Sequence, residues 1–278
     1  MSASVGHPGA AAGPDDAGRG GRTGLAAAVF DLDGVVTLTA SVHRAAWKEV
    51  FDAYLRARAA RSGEPFRPFT DVDYAAYVDG RPRREGIRAF LASRGITLPE
   101  GSPSDPAGAE TVHGLAGRKN RIFRERLRTM GVMVDREAVR FARELRAAGV
   151  RVGMASSSRN AARILEAAGL EDLFDARVDG ALSDELGLRG KPEPDIFLEC
   201  LRRLGAPDPG RALLVEDSVA GVEAGRRGGF ALVIGVDRGS NAAALRAHGA
   251  HLVVRDLRGL TAPDVLEGAR ARTQGEGR

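Results

Sequence analysis

A single cysteine, Cys200, stands in a chain of 278 residues. One thiol excludes an internal disulfide framework and a thiolate-rich metal cluster. No apolar run approaches the ~18 residues that a membrane-spanning helix requires, so an integral membrane protein is excluded as well. Aromatic residues are scarce, at 5%, and the charge is not of one sign: 41 Lys and Arg stand against 37 Asp and Glu, for a net +4. A nucleic-acid surface needs a basic stripe with interleaved aromatics. Here the arginines alternate with acids, as in RERLR at 124–128 and RELR at 143–146, which is the pattern of a solvated helix face. Lysine is nearly missing. Only Lys48, Lys119 and Lys191 occur, and in so arginine-rich a chain each prompts the question of whether a compact ammonium is required there. The first residues show no basic start followed by an apolar stretch, so they are not a secretory signal. With 43% hydrophobic residues the chain can build a core, and a cytoplasmic enzyme or binding protein is the expected class.

Residues 1–24 read as a flexible Gly- and Ala-rich leader. LAAAVF (25–30) is a short apolar run that ends abruptly in Asp31-Leu32-Asp33-Gly34, as a buried strand does. From Ser41 the pattern turns helical, with Val42, Ala46, Val50 and Tyr54 on one stripe. Helices are also expected over 72–78, 82–93 and 115–130, with a loop at 98–110. Nothing in 41–131 reads as a strand, so this block is expected to be a helical cap subdomain. After Asp135 helices and strands alternate, with strands at 150–155, 174–180, 212–217, 230–236 and 251–254. That rhythm predicts an α/β fold with a doubly wound parallel sheet. Its core is formed by 25–40 and 132–262, the cap is inserted after strand one, and 263–278 is a flexible tail.

Ligands of open parallel sheets bind beyond the carboxyl ends of the strands, and the residues there carry the chemistry. The first strand delivers Asp31, Asp33 and Gly34. The second delivers Ser156, Ser157 and Ser158, then Arg159 and Asn160. Lys191 follows the third at a distance, and the fourth delivers Glu216, Asp217 and Ser218. Taken singly, each has an ordinary explanation: Asp31 as a turn residue, the serines as helix caps, Lys191 as an exposed loop lysine. Together they occupy successive strand ends of one sheet. A carboxylate cluster of this kind repels itself unless a cation is bound, and oxygen ligands without His or Cys suit Mg²⁺.

DLDGVVT (31–37), MASSSRN (154–160), Lys191 in GKPEPDIF (190–197) and VEDSVAG (215–221) resemble the four motifs of the haloacid dehalogenase-like superfamily, in its order and nearly at its spacing. The resemblance implies a Rossmann-like core and an aspartyl-phosphate mechanism with Mg²⁺. Asp31 would be the nucleophile and Asp33 the general acid/base. Ser156 and Lys191 would hold the transferring phosphoryl group. Glu216 and Asp217 would position the metal together with Asp31 and the Asp33 carbonyl. An acidic residue at Asp33 favours phosphoryl transfer from oxygen esters, because a leaving alkoxide needs a proton.

The narrower resemblance is to the β-phosphoglucomutase-like family. It implies that Thr39, His43 and Trp47 form the hinge and cap entrance. It also implies that VDGRPRREGI (78–87) is the cap loop, bringing Gly80 and placing Arg83 on the substrate's remote phosphate. Lys119 in RKN (118–120) would lie near the sugar ring and phosphate, with Ser157, Arg159 and Asn160 also on the substrate. Two departures stand out: Leu38 replaces the Asp usual before the hinge Thr, and the cap with its 98–110 loop is longer than in the smallest relatives. His43 and Trp47 lie near the apolar stripe and read equally well as packing residues. Cys200 and Met154 are assigned to the core. The expected activity is interconversion of β-glucose 1-phosphate and glucose 6-phosphate through a bisphosphate, by a monomer without nucleic-acid or membrane partners. A sugar-phosphate phosphatase on the same machinery is the first rival, and a non-catalytic sugar-phosphate sensor the second.

Overall fold

A computed structural model describes residues 24–239 and 241–275; the leader expected over 1–24 lies outside them except for Gly24. The chain enters through β1 (Ala27–Phe30) and passes into four helices: α1 (Ala40–Ser62), α2 (Asp71–Asp73), α3 (Arg83–Ser93) and α4 (Val112–Met130). A π-helical turn, Tyr74–Val78, continues directly from α2. Then follow α5 (Arg136–Ala147), β2 (Arg151–Ala155), α6 (Ala161–Ala168), β3 (Ala176–Val178), α7 (Gly180–Glu185) and α8 (Asp195–Arg203). The chain closes with β4 (Ala212–Glu216), α9 (Val219–Arg227), β5 (Leu232–Val236), α10 (Ala242–Ala247), β6 (Leu252–Val254) and α11 (Ala262–Gly275).

The six strands form one parallel sheet in the order β3-β2-β1-β4-β5-β6. Strand β1 lies in its middle, with Phe30 opposite Met154 on one side and Val215 on the other. All four of its residues are buried, which is why it reads as an unbroken apolar run rather than an alternation. Chain order reverses beside β1, so a crevice opens where β1 and β4 end. Asp31 and Glu216, each one residue beyond the paired Phe30 and Val215, therefore arrive side by side.

Apolar side chains cover both faces of the sheet. Phe30, Phe141, Leu145 and Ile164 belong to one cluster, and Val29, Phe197, Leu201 and Val222 to the other. The helical layer has its own core of Trp47, Phe51, Phe69, Phe90 and neighbours. Many of the few aromatics are concentrated there: Trp47 stacks on Phe51 at 5.1 Å and Phe51 meets Phe90 at 4.4 Å. Helix α1 buries Val42, Ala46, Trp47, Val50, Phe51, Tyr54 and Leu55, the spacing of one helical stripe.

Three helices are absent from the sequence reading. Helix α7 is six residues long, too short for a periodicity to show. Helix α10 follows a loop and is equally short. The third is a correction: 263–278 is not a tail throughout, because α11 occupies Ala262–Gly275 and buries Ala262, Val265 and Ala269 against the sheet cluster. No helix among the described residues is long and apolar enough to cross a membrane.

Candidate active site

A cavity of about 550 Å³ lies between the carboxyl edge of the sheet and the helical layer, lined by residues of both. Asp31 and Lys191 form its floor. Lys191 Nζ donates to Asp31 Oδ1 at 2.6 Å and to Glu216 Oε1 at 2.5 Å. All three residues are almost wholly buried. Burial would strip Lys191 of its proton, but the two carboxylates outweigh it and raise its pKa. Burial pushes the Asp31 carboxyl upward, the Glu216 and Asp33 charges add to that, and Lys191 opposes it. One ammonium thus faces more than one buried carboxylate, and the floor carries excess negative charge.

Glu216 is fully engaged. Besides Lys191 it accepts from the Ser218 amide at 2.6 Å and the Ser218 hydroxyl at 3.0 Å. A Cβ on Gly221 would lie 1.8 Å from its Oε1, so only glycine at that point of α9 leaves the carboxylate room. Asp217 is the opposite case. It is buried, yet its carboxylate accepts no hydrogen bond and makes no ion pair among the described residues. Burial, followed by the charges of Asp79, Glu216 and Asp31, drives its pKa well up. It sits 1.8 Å from where a Cβ on Gly34 would be. Gly34 also has φ +99°, so glycine is required there twice over.

Asp31 and Asp217 are the side chains here that could hold a metal. No three His, Cys, Asp or Glu side chains among the described residues form a ready cage, in keeping with Glu216 being held by Lys191 and Ser218. What is present is Asp31, the unpartnered Asp217 and nearby backbone carbonyls: a few hard oxygens and surplus negative charge. Mg²⁺ binds through one or two carboxylates and keeps several waters, so this donor set fits it.

Asp33 is wrapped by other groups. Its Oδ1 accepts from Thr39 Oγ1 at 2.5 Å, and its Oδ2 accepts from Ser156 Oγ at 3.2 Å. His43 Nε2 stands 3.2 Å from Oδ1, off the line of a full hydrogen bond. Burial would raise this carboxyl, but His43, Thr39 and Lys119 overcome it and hold it at about 2. The side chain is therefore ionised and occupied, and only its backbone carbonyl is left for a metal. Thr39 stands at the N-cap of α1 but makes no capping bond, because its hydroxyl is spent on Asp33 and on Thr37 at 2.7 Å. Leu38 holds the same turn through its amide, which donates to Met133 O at 2.8 Å.

Behind Asp33 stands Lys119, buried, with Nζ 2.7 Å from His43 Nδ1. Its Nζ lies over the rings of Trp47 at 5.0 Å and Phe123 at 4.6 Å, and burial followed by the Arg83 charge drives its pKa well down, Asp33 opposing. Burial and then the Lys119 charge lower His43 to about 4, Asp33 opposing. The imidazole is thus held toward its neutral form, with Nδ1 facing Lys119 and Nε2 facing Asp33. Trp47 belongs to both sides of the question raised by the sequence: it packs on Phe51 and also lines the cavity.

Several contacts join the two layers. Ser157 Oγ donates to Gly80 O at 2.8 Å, and Gly80, with φ +73°, lets the loop press on Ser218, whose Oγ lies 2.3 Å from where a Cβ would stand. Arg83 Nη2 and Asn160 Nδ2 both donate to Asn120 Oδ1, at 3.0 and 2.9 Å. Arg159 is placed differently from Asn160. It lines the rim but is half exposed and bonded to Asp184 at 2.5 Å. The structure thus gathers Asp31, Asp33, Ser156, Lys191, Glu216 and Asp217 at one end. Gly80, Arg83 and Ser157 line the same cavity, while Asn160, buried and tied to Asn120, is not among its lining residues. The sequence reading missed Asp79, Asn120 and Asp184. Asp79 lies beside Gly80, lines the cavity and is pushed up to about 6 by burial, with the Glu216 charge adding and Tyr74 opposing through a hydrogen bond. Only its place in VDGRPR pointed to it.

The sequence model of haloacid dehalogenase-like hydrolases matches residues 25–229. A β-phosphoglucomutase of Mycobacterium bovis is 48% identical over 235 residues, covering 83% of this chain and 89% of the relative. A β-phosphoglucomutase of Bacillus subtilis is 32% identical over 238 residues, covering 85% and 92%. The fold is also that of a β-phosphoglucomutase crystal structure from Clostridium difficile, with a TM-score of 0.69 at 23% identity over 90% of this chain and 99% of that one.

Proposed function

The chain belongs to the haloacid dehalogenase-like hydrolases and is an enzyme, and we propose that it is a Mg²⁺-dependent phosphosugar mutase interconverting β-glucose 1-phosphate and glucose 6-phosphate. The observation that carries this reading is the two-ended cavity. A carboxylate–lysine floor lies on the sheet side, and on the helical side stands the half-buried cation Arg83, which makes no ion pair with a carboxylate among the described residues. A single-ended hydrolytic site does not need the second end.

In this reading Asp31, through a carboxylate oxygen, forms a bond to phosphorus as the ester P–O bond breaks. Lys191 and Ser156 hold the equatorial oxygens of the phosphoryl group. Asp31, Asp217 and the Asp33 carbonyl would hold Mg²⁺, which when bound would supply charge neutralisation for the phosphoryl group. Asp33 is ionised at rest, so from the phosphorylated enzyme it first takes the proton of the attacking sugar hydroxyl as the Asp31–phosphorus bond breaks. The protonated Asp33 then serves the leaving sugar oxygen when the bisphosphate has turned over and Asp31 attacks its other phosphate. Thr39 and His43 orient this carboxyl, and Lys119 faces His43 Nδ1. The helical layer acts as the cap that shuts water out, while Arg83 with Ser157 and Asn160 receives the phosphate that is not reacting. A guanidinium can make two charge-assisted bonds to it.

Phosphorus NMR of β-glucose 1-phosphate with enzyme, Mg²⁺ and a catalytic amount of glucose 1,6-bisphosphate tests the reading. Glucose 6-phosphate as product supports a mutase. Inorganic phosphate as the main product makes the protein a phosphatase. No turnover with ligand binding leaves a sensor.

A further inference from the structure

Asn120 lies on α4 directly after Lys119, and one oxygen of its side chain serves two layers of the molecule. Arg83, at the start of α3 in the helical layer, donates to Asn120 Oδ1 at 3.0 Å. Asn160, at the start of α6 in the sheet layer, donates to the same atom at 2.9 Å. Arg83 stands near a second guanidinium, that of Arg159, and its own charge bears on Lys119. The nearby carboxylate, Asp184, is already bonded to Arg159 and lies 3.7 Å from Arg84. Burial and the Arg159 charge lower Arg83 to about 10, with Asp184 opposing. A carboxylate at position 120 would pair with the guanidinium and cancel its field. A neutral amide oxygen fixes its orientation and leaves the charge free.

We infer that Asn120 is a positioning residue for the non-reacting phosphate. It sets Arg83 of the cap and Asn160 of the core in one frame, and it withholds a counter-charge so that the phosphate must supply it. This rests on the reading of Arg83 and Asn160 as the remote phosphate site. Cap closure and phosphate capture then share one joint: untying Asn120 lets Arg83 swing with the cap, free of Asn160.

The test compares Asn120→Asp, which is nearly isosteric but anionic, with Asn120→Ala and Asn120→Gln. Trp47 is the single tryptophan and lines the cavity, so its fluorescence reads glucose 6-phosphate binding without turnover. The expected affinity order is wild type, then Asn120→Gln, then Asn120→Ala, with Asn120→Asp weakest and at least ~10-fold below wild type. That rank is the signature of charge competition. A purely structural role would make the isosteric Asp variant the mildest. In kinetics the loss falls mainly on KM for glucose 6-phosphate, and it is several-fold smaller for acetyl phosphate, which has no second end. Asn120→Asp binding as tightly as wild type, or more tightly than Asn120→Ala, overturns the inference, as does an equal loss on both substrates. If the affinity order holds but no glucose phosphate is isomerised, the mutase reading falls and this one stands. If wild type binds no glucose 6-phosphate, both fall.

Discussion

Lys191 Nζ stands 2.6 Å from Asp31 Oδ1, although 160 positions separate the two residues in the chain. The same ammonium lies 2.5 Å from Glu216, so one cation spans the ends of β1 and β4 and aims the carboxylate that we propose as nucleophile. Under that mechanism Lys191→Ala leaves Asp31, Glu216 and the incoming phosphate in mutual repulsion. Turnover should fall by ~10²-fold or more, the scale of a lost electrostatic donor. Near-normal rates in this variant would reduce Lys191 to a structural tie.

Asp31→Asn replaces the attacking oxygen with an amide that is a poor nucleophile and a weaker metal ligand. The variant should keep its far-ultraviolet circular dichroism and lose phosphoryl transfer, and no phosphorylated protein should be seen by intact-mass spectrometry. Substantial turnover would falsify the covalent route.

Arg83→Ala removes the far cation but leaves the floor untouched. Formation of glucose 6-phosphate should drop roughly 10- to 10²-fold, the scale of a lost hydrogen bond to a charged group, about 1.5–3 kcal/mol. Release of phosphate from acetyl phosphate should suffer much less, because remote binding energy does not assist a substrate without a remote end. Equal losses on the two substrates would point to a damaged floor and favour the phosphatase reading.

The unpartnered carboxylate of Asp217 makes metal removal a sharp test. Exhaustive chelation should abolish turnover, and Mg²⁺ should restore it. Titration calorimetry of Mg²⁺ should show Asp217→Asn binding at least ~10-fold more weakly than wild type. An unchanged affinity would mean that Asp217 is not a ligand.

Cys200 lies at the heart of the sheet packing, with its Sγ 2.5 Å from where a Cβ on Gly153 would stand and bonded to Met154 O at 3.6 Å. Burial pushes the thiol up to about 12, so almost no thiolate forms at neutral pH. Ellman's reagent should leave the native protein untouched and titrate one thiol on unfolding. Rapid reaction in the native state would show that this layer opens readily.

The sheet was legible because its strands are local events. AAVF and ALLVE are buried on both faces, and continuous apolar runs cut off by acids announce parallel strands and their ends without help from the rest of the chain. The same locality revealed Asp31, Asp33, Ser156, Glu216 and Asp217, since strand ends of such a sheet must meet at one edge. Lys191 was visible through rarity and through its motif. What the tertiary structure alone decided is which side chains are free and which are spent. Ser218 and Gly221 leave Glu216 facing Lys191, while Asp217 has no side-chain partner among the described residues. Asp184, on a helix too short to show a period, draws Arg159 to the rim. Asn120 joins donors 37 and 40 positions away. Partners that distant along the chain leave no periodicity in the sequence, because their meeting depends on how the helical layer lies on the sheet, and that is set by the packing of both cores at once.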